Sequence, residues 1–549
     1  MIRRIEGIIA VATTLLVVWL HVAFLLHAGG LWRDETNSVN LATLPSLSDA
    51  LRHDSSPLLW TAVLRLWTGL GGGSDSGMRA LGFLVGLALL GLLWFNARQL
   101  KISFPLISLL LLGFSSTVIR WGDSIRAWGL GACFVLLTFA LIWKVIESPT
   151  KLNVLMATLA ALGSVHCTYY NSVLLFAIGL GAIAVALRNR LWKRAALVVG
   201  IGTIAAISLL PYLGTIRSGV KDYGNSQISQ FSFETFSGQL FNALAPRGEL
   251  PTKVADAPIR IWIALWGIGI AIALWCQYRP ARFDATPRQK DLLLFSVTSL
   301  LVGLAAYFLF LDYLKLSPQV WYYLALMTLT AISLDAIQSV IANNVYGRNF
   351  RLLFVVLLMV IMFFSARQTL NIRQTNIDLA TTQLNKIATK NDFILVNHWF
   401  YGVSFQRYYS GPAPWLTIPV MDDHKFHRYD LFAASMEEPD PLKPMQPVLD
   451  KIAHTLQSGG SVWVIGWLEI LPEDVIPAPA PIAFHGEAPG SKYYRFWSEQ
   501  TAHFIRTHSL HTEELNIPSP NPVSDLEHVG LLQVTGWKTD SKIQKASIN

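Results

Sequence analysis

The chain has 549 residues, of which 52% are hydrophobic and only 14% charged, and its mean hydropathy is +0.42. Soluble domains carry about 25% charged residues, so much of this chain faces something other than water, and a wholly soluble protein is excluded. The formal charge of +8 does not mark a nucleic-acid binder, because the basic residues sit in short loops between apolar runs and form no patch.

A membrane-spanning helix needs about 20 mostly apolar residues. In chain order such stretches lie near 5–28, 78–97, 102–119, 127–146, 152–168, 171–187, 195–214, 258–276, 291–311, 320–341 and 351–366, which predicts about eleven spans. The first is too long for a signal peptide and lacks a small-residue cleavage site. Arg3 and Arg4, Arg98 and Lys101, Lys144 and Lys151, Arg188 to Arg194, Arg279 to Lys290, and Arg348 and Arg351 all fall on one side of this array. The positive-inside bias assigns that side to the cytoplasm. The expected protein is therefore a multi-pass resident of the cytoplasmic (inner) membrane. Its N-terminus is inside and its C-terminal region periplasmic or extracellular. The turn from His166 to Asn171, between two shorter spans, decides the parity of everything downstream.

Three regions do not fit as spans. Residues 29–77 form a first outward loop, in which Leu58, Leu59, Trp60, Val63, Leu64, Leu66 and Trp67 suit a helix lying in the interface. Residues 214–258 form a second outward loop, rich in Ser, Gln, Asn and aromatic residues. From Arg367 the chain turns soluble. Phe393–Val396 and Ser461–Ile465 read as buried strands, and helix-like stretches at 377–388 and 447–456 precede them. The predicted fold class is an all-α polytopic membrane protein with a small C-terminal extracytoplasmic α/β domain, the transmembrane part over 1–366 and the α/β part over 367–549. Cys133, Cys167 and Cys276 lie within apolar segments and define neither a disulfide framework nor a metal spacing.

The polar residues suited to chemistry gather in the outward loops. Asp34, Glu35, His53 and Asp54 lie in the first, and Arg120 to Trp128, with Asp123 and Arg126, lie between the third and fourth spans. His166, Tyr169, Tyr170 and Asn171 follow between the fifth and sixth, then Asp312, Lys315, Gln319, Tyr322 and Tyr323 between the ninth and tenth. In a helix bundle these would ring one outward cavity, where irregular polar backbone is tolerated. Such a set suits glycosyl transfer to a hydroxyl. One carboxylate accepts the acceptor's proton as the bond to the anomeric carbon forms, and cations stabilise a phosphate leaving group. Nucleotide sugars are not expected outside the cytoplasm, and the chain has no GxGxxG or P-loop signal, so a membrane-borne phosphate carrier is the natural donor.

Five ordered pieces resemble the GT-C glycosyltransferases of the family 39 type, the group of protein O-mannosyltransferases and the aminoarabinose transferases of lipid A. They are Asp34-Glu35; His53-Asp54-Ser55-Ser56-Pro57-Leu58-Leu59; Met78-Arg79-Ala80-Leu81-Gly82; Asp123-Ser124-Ile125-Arg126-Ala127-Trp128; and His166-Cys167-Thr168-Tyr169-Tyr170. The resemblance spans roughly residues 5–215, with weaker echoes to 335. It implies a polyprenyl-phosphate sugar donor, inversion at the anomeric carbon, and an active site at the outward membrane face. It implies Asp34 as base and Glu35 as its neighbour orienting acceptor or cation, with Asp123 as a further catalytic residue. Asp123 and Arg126 belong to the donor site, with His53, Asp54, Lys315, Tyr169 and Tyr322 as further donor contacts. Two departures stand out: Ser56 replaces the family's usual His and one of the paired prolines is missing, and Gln319-Val320-Trp321-Tyr322 replaces an Arg-Tyr pair, leaving Lys315 or Arg126 to hold the phosphate.

Plainer roles compete for each residue. Asp34 and Glu35 also suit the acidic start of an interfacial helix, and Asp123 with Arg126 a structural ion pair. His53 suits a structural hydrogen bond, Lys315 a snorkelling lysine, and Tyr322 the aromatic belt. No spacing identifies a metal site, although paired acids beside a phosphate can recruit a divalent cation. The acceptor stays open among lipid, glycan and protein. The rival function is a transporter or flippase of lipid-linked sugars, against which speaks the absence of two halves resembling each other; a third is a non-catalytic envelope assembly protein.

Overall fold

In lipid every backbone N–H and C=O must be satisfied within the protein, which is why the apolar runs of this chain fold as long helices. The computed structural model describes residues 2–53, 56–217, 231–245, 257–278, 286–315, 317–339, 345–468, 475–477, 479–481 and 489–538. Two compact units emerge, one made of Met1–His27, Ser55–Ile216 and Phe231–Asn371, the other of Ala28–Asp54, Arg217–Gln230 and Ile372–Asn549.

The helices in chain order to residue 369 are α1 (Ile2–His27), α2 (Arg33–Ala42), α3 (Leu47–His53), α4 (Leu59–Gly69), α5 (Asp75–Leu100), α6 (Leu106–Gly113), α7 (Ser116–Gly122) and α8 (Ala127–Glu147). Then follow α9 (Lys151–Cys167), α10 (Asn171–Arg188), α11 (Trp192–Ile207), α12 (Phe233–Leu244), α13 (Ala257–Tyr278), α14 (Pro287–Leu314), α15 (Leu324–Gln338) and α16 (Val345–Thr369). All but α2 and α3 belong to the first unit. Eight helices of the described residues are long and apolar enough to cross a membrane, and the chain is a multi-pass membrane protein. Ile8, Leu15, Leu26, Phe176, Leu353 and Leu357 are each more than half exposed, a pattern that suits acyl chains and would be a liability in water.

Helix α15 is the core of this unit, with all fifteen of its residues buried. Three of its polar side chains are satisfied locally or put to use. Thr328 and Thr330 donate to the carbonyls of Ala325 and Leu326, while Asp335 caps another helix. The Asp335 carboxylate accepts from the backbone N–H groups of Ile107 and Ser108, at 3.3 and 3.2 Å, and from the Ser108 hydroxyl at 2.7 Å. Those are orphan donors of the first turn of α6. The run near 102–119, expected as one span, is broken at Phe114 and Ser115 into α6 and α7, with Ser115 capping α7 through Val118 N–H. The expected spans at 152–168 and 258–276 are apolar but shorter, as α9 and the Ala257–Ile272 part of α13. The expected loop over 214–258 also contains a helix, α12, started by reciprocal hydrogen bonds between Ser232 and Thr235.

The second unit is an α/β sandwich. Helix α17 (Ile377–Ile387) leads into β1 (Phe393–Val396), and α18 (Gly402–Tyr408) into β2 (Trp415–Thr417). Then come α19 (Tyr429–Met436), α20 (Gln446–Gln457), β3 (Val462–Ile465), α21 (Pro489–His508), β4 (Ser509–Leu515) and β5 (Leu531–Trp537). The strand order is β2-β1-β3-β5-β4, with β1 parallel to β2 and β3, and β5 antiparallel to β3 and β4. Both faces are covered. Phe393 and Leu395 pack with α19, α20 and α21, and Ile394 and Val396 pack with α17. That two-sided burial explains the unbroken apolar runs of β1 and β3. Segment 28–54 is stitched onto this unit: Gln374 N–H donates to Ala28 carbonyl at 2.8 Å, and Leu31 N–H to the Tyr408 hydroxyl at 2.6 Å.

Candidate active site

The Asp34-Glu35 pair, expected in a loop, opens helix α2. Carboxylates in a first turn meet the positive end of the helix dipole. The two acids point to different tasks. Glu35 is fully buried and accepts from Trp32 N–H at 3.3 Å, closing the turn that begins the helix. Asp34 keeps 18% of its side chain exposed, and its Oδ1 lies 3.2 Å from Nε2 of His427, whose side chain is 8% exposed. An ionised carboxylate only accepts, so the ring donates through Nε2–H. The backbone N–H of His427 donates to Asn37 Oδ1 at 3.0 Å, and Asn40 donates to the Lys425 carbonyl at 2.7 Å. Helix α2 and the 425–427 strand of chain are thereby locked in register.

Arg33 anchors the same turn. Its backbone N–H donates to Glu527 at 2.8 Å, its guanidinium reaches Glu527 and the Leu526 carbonyl, and it lies over the rings of Phe400 and Tyr401. Burial pushes the Glu527 carboxyl up to about 7, with the charge of Arg33 and hydrogen bonds from Ser404, Arg33 N–H and Thr375 pulling the other way. Burial lowers His398 and His424 to about 4. His53 stacks on Phe426, the chain neighbour of His427, at 4.6 Å between ring centroids. Asp54 lies outside the described residues.

In the first unit, three of the five sequence pieces meet. Asp123, at the end of α7, is buried with its Oδ2 2.7 Å from Nδ1 of His21 on α1. Arg79 on α5 acts on it electrostatically. Gly82 and Gly86 let α5 approach this pair: a Cβ at 82 would run into the Asp123 carbonyl, and one at 86 into Asp123 Oδ1 and the His21 ring. Arg126 is the N-cap of α8 and lies 5.2 Å from the ring centroid of Trp128. Trp128 stacks on Trp321 at 5.0 Å, with Trp121 closing the cluster at 4.8 Å from Trp321. Tyr170 continues this wall, 5.6 Å from Tyr322, whose carbonyl accepts from Tyr307. Tyr169 packs edge-on against Tyr212, which with Ser208 holds His166 at 3.2 and 3.1 Å.

The donor-site candidates Arg126 and Tyr322 thus share one aromatic neighbourhood, with Asp123 in the same loop as Arg126, while Tyr169 packs on the Tyr212 and His166 side. Lys315 stands apart from that wall, exposed and paired with Asp312 at 2.7 Å. Among the described residues no group of three or more His, Cys, Asp or Glu side chains could hold a metal ion. Sequence reasoning missed His427 and His21. His21 carried a signal, an ionisable residue inside an apolar span. His427 carried none, since 393 residues separate it from Asp34.

No protein-family model matches the chain, and no curated protein matches it significantly. Among solved structures it is similar to ArnT from Cupriavidus metallidurans bound to undecaprenyl phosphate, with 13% identity, 84% of this chain and 92% of that chain covered, and a TM-score of 0.45. It is also similar to the Archaeoglobus fulgidus oligosaccharyltransferase tethered with an acceptor peptide, with 12% identity, 95% and 74% covered, and a TM-score of 0.46.

Proposed function

We propose that this chain is an inverting glycosyltransferase that moves a sugar from a polyprenyl-phosphate carrier to a hydroxyl or phosphate acceptor at the outer face of the cytoplasmic membrane. The observation that carries this reading is Asp34: a partly open carboxylate at the start of a helix, hydrogen-bonded at 3.2 Å to a nearly buried His427. A base needs both access and a fixed direction. Asp34 accepts the proton of the acceptor hydroxyl as its oxygen attacks the anomeric carbon. The bond from that carbon to the carrier phosphate breaks on the opposite face, the electron pair leaves with the phosphate, and configuration inverts. Glu35 keeps the turn of Asp34 in place.

Arg126 suits the leaving phosphate. It caps the N-terminus of the 21-residue helix α8, so its charge adds to the positive end of a helix dipole. The aromatic wall of Trp128, Trp321, Tyr170 and Tyr322 suits the sugar face and the first prenyl units. Asp123, held by His21, fixes the loop that presents Arg126. The charge pattern of the loops favours an N-terminus in the cytoplasm and the α/β unit outside it.

The test uses the full-length chain in liposomes with labelled polyprenyl-phosphate sugars of several kinds, and envelope glycans from a deletion strain as acceptor source. Formation of a covalent product separates the enzyme from a flippase. Asp34→Asn should lose about a hundredfold or more in rate, and transfer at an unchanged rate removes Asp34 as base. Thr43→Cys, exposed just after α2, should react with an impermeant thiol reagent from outside intact cells; reaction only after permeabilisation overturns the orientation.

A further inference from the structure

A cavity of about 200 Å³ opens at the basic end of the membrane-spanning unit, among the ends of α5, α14, α15 and α16. Its lining includes Lys101, Ser103, Thr286, Arg288, Arg348 and Arg351. Fourteen residues of α5 separate Gly86, beside Asp123, from Leu100 at this cavity, a rise of about 20 Å. It is therefore no part of the donor neighbourhood.

Four cations converge there. The carboxylates that face them are Glu6, which takes Arg351 at 2.9 Å and Arg348 at 3.6 Å, Glu147, which takes Arg288 at 2.5 Å, and Asp335, which Arg351 influences electrostatically. Among the described residues one positive charge remains in excess. Arg351 decides the matter. Its side chain is 4% exposed and gives only one nitrogen, Nη2, to Glu6, while Nε and Nη1 have no hydrogen-bond partner among the described residues. Leaving charged donors buried and unmet is costly. The N-terminus of the 28-residue helix α14, capped by Thr286, adds its own positive end to the same cavity. The volume has room for on the order of ten waters, enough for a phosphate and the first atoms esterified to it.

The geometry points to a phosphate-ester site at the basic end of the bundle, held by Arg351, Lys101 and the start of α14. Arg348 and Arg351 lie in the first two turns of a spanning helix, the depth at which lipid headgroups meet a membrane protein. A phospholipid headgroup and a free phosphate share this chemistry.

The test measures the unfolding midpoint of the full-length chain with sodium phosphate against sodium chloride at equal ionic strength. A parallel arm compares nanodiscs of phosphatidylglycerol with nanodiscs of phosphatidylcholine, and native mass spectrometry counts the phosphate-bearing molecules retained. A raised midpoint with one such molecule per chain is expected in at least one arm. A response to sodium phosphate assigns a soluble anion, and a response to phosphatidylglycerol alone assigns a headgroup. Arg351→Gln should weaken binding about tenfold or more, the loss of a hydrogen-bonded charge. Lys101→Gln, on an exposed side chain outside the Glu6 pairing, should weaken it while leaving the fold intact. No response in either arm overturns the site. So does wild-type affinity in Arg351→Gln or, should that variant not fold, in Lys101→Gln.

Discussion

On the proposed mechanism, removing His427 is the sharpest probe of how Asp34 is prepared for proton transfer. The ring donates one hydrogen bond, 3.2 Å long, to a carboxylate that is 18% exposed. A hydrogen bond to a charged group contributes about 1.5–3 kcal/mol, and each 1.36 kcal/mol is tenfold in rate. Water reaches the exposed part of Asp34 and replaces some of that loss, so the lower end applies: His427→Ala should reduce kcat about tenfold with KM for the acceptor little changed. His427→Gln, which keeps an N–H donor, should recover part of the rate. Asp34→Asn should cost about 10²- to 10⁴-fold, and the double variant should be no slower than Asp34→Asn alone, because His427 acts only through Asp34. The assay is initial-rate transfer from labelled polyprenyl-phosphate sugar at saturating donor, with unfolding midpoints confirming that each variant is folded. Losses that multiply in the double variant would refute the reasoning, since they would make His427 an independent contributor.

Three further outcomes follow from the same geometry. The α/β unit should be most stable near pH 6.5, read as the tryptophan-fluorescence unfolding midpoint from pH 4 to 8. His398 and His424, lowered by burial from 6.5 to about 4, contribute stability that is present above 6.5 and lost as pH falls toward 4. Glu527, raised by burial from 4.5 to about 7, contributes stability that is full below 4.5 and lost as pH rises through 7, so Glu527→Gln should flatten the alkaline decline. Asp335→Ala should destabilise the membrane unit by about 2–5 kcal/mol, because it strands the N–H groups of Ile107 and Ser108 in the core; unfolding in mixed detergent micelles measures it. Gly86→Ala should lower stability by about 1–3 kcal/mol and reduce transfer, since its methyl group displaces the His21–Asp123 pair; Gly91→Ala, where nothing lies within 4 Å, is the matched control.

What could be read from the residues is what local pattern encodes. Long apolar runs became helices, and Phe393–Val396 and Val462–Ile465 became the buried central strands their unbroken apolar character predicts. The start of α6 at Leu106 could not be read, because Asp335, which caps it, lies more than 200 residues away on α15. Nor could the placement of segment 28–54, whose composition says only that it is polar; what holds it are Tyr408, His427 and Glu527, each a long-range contact. Asp123 was visible as a charged residue in an outward loop. Its pairing with His21 was not, because hydropathy treats one histidine in a span as a dent in an apolar average.

The anchoring of helix α2 has a consequence for how the protein comes into being. Arg33 is synthesised 494 residues before the Glu527 that holds it, and Asp34 393 residues before His427. Strand β5, which lies between β3 and β4, belongs to the last part of the described chain to leave the ribosome. Until then the acidic turn lacks the partners that fix it, so on the proposed mechanism a C-terminally truncated copy would carry a base without a set direction.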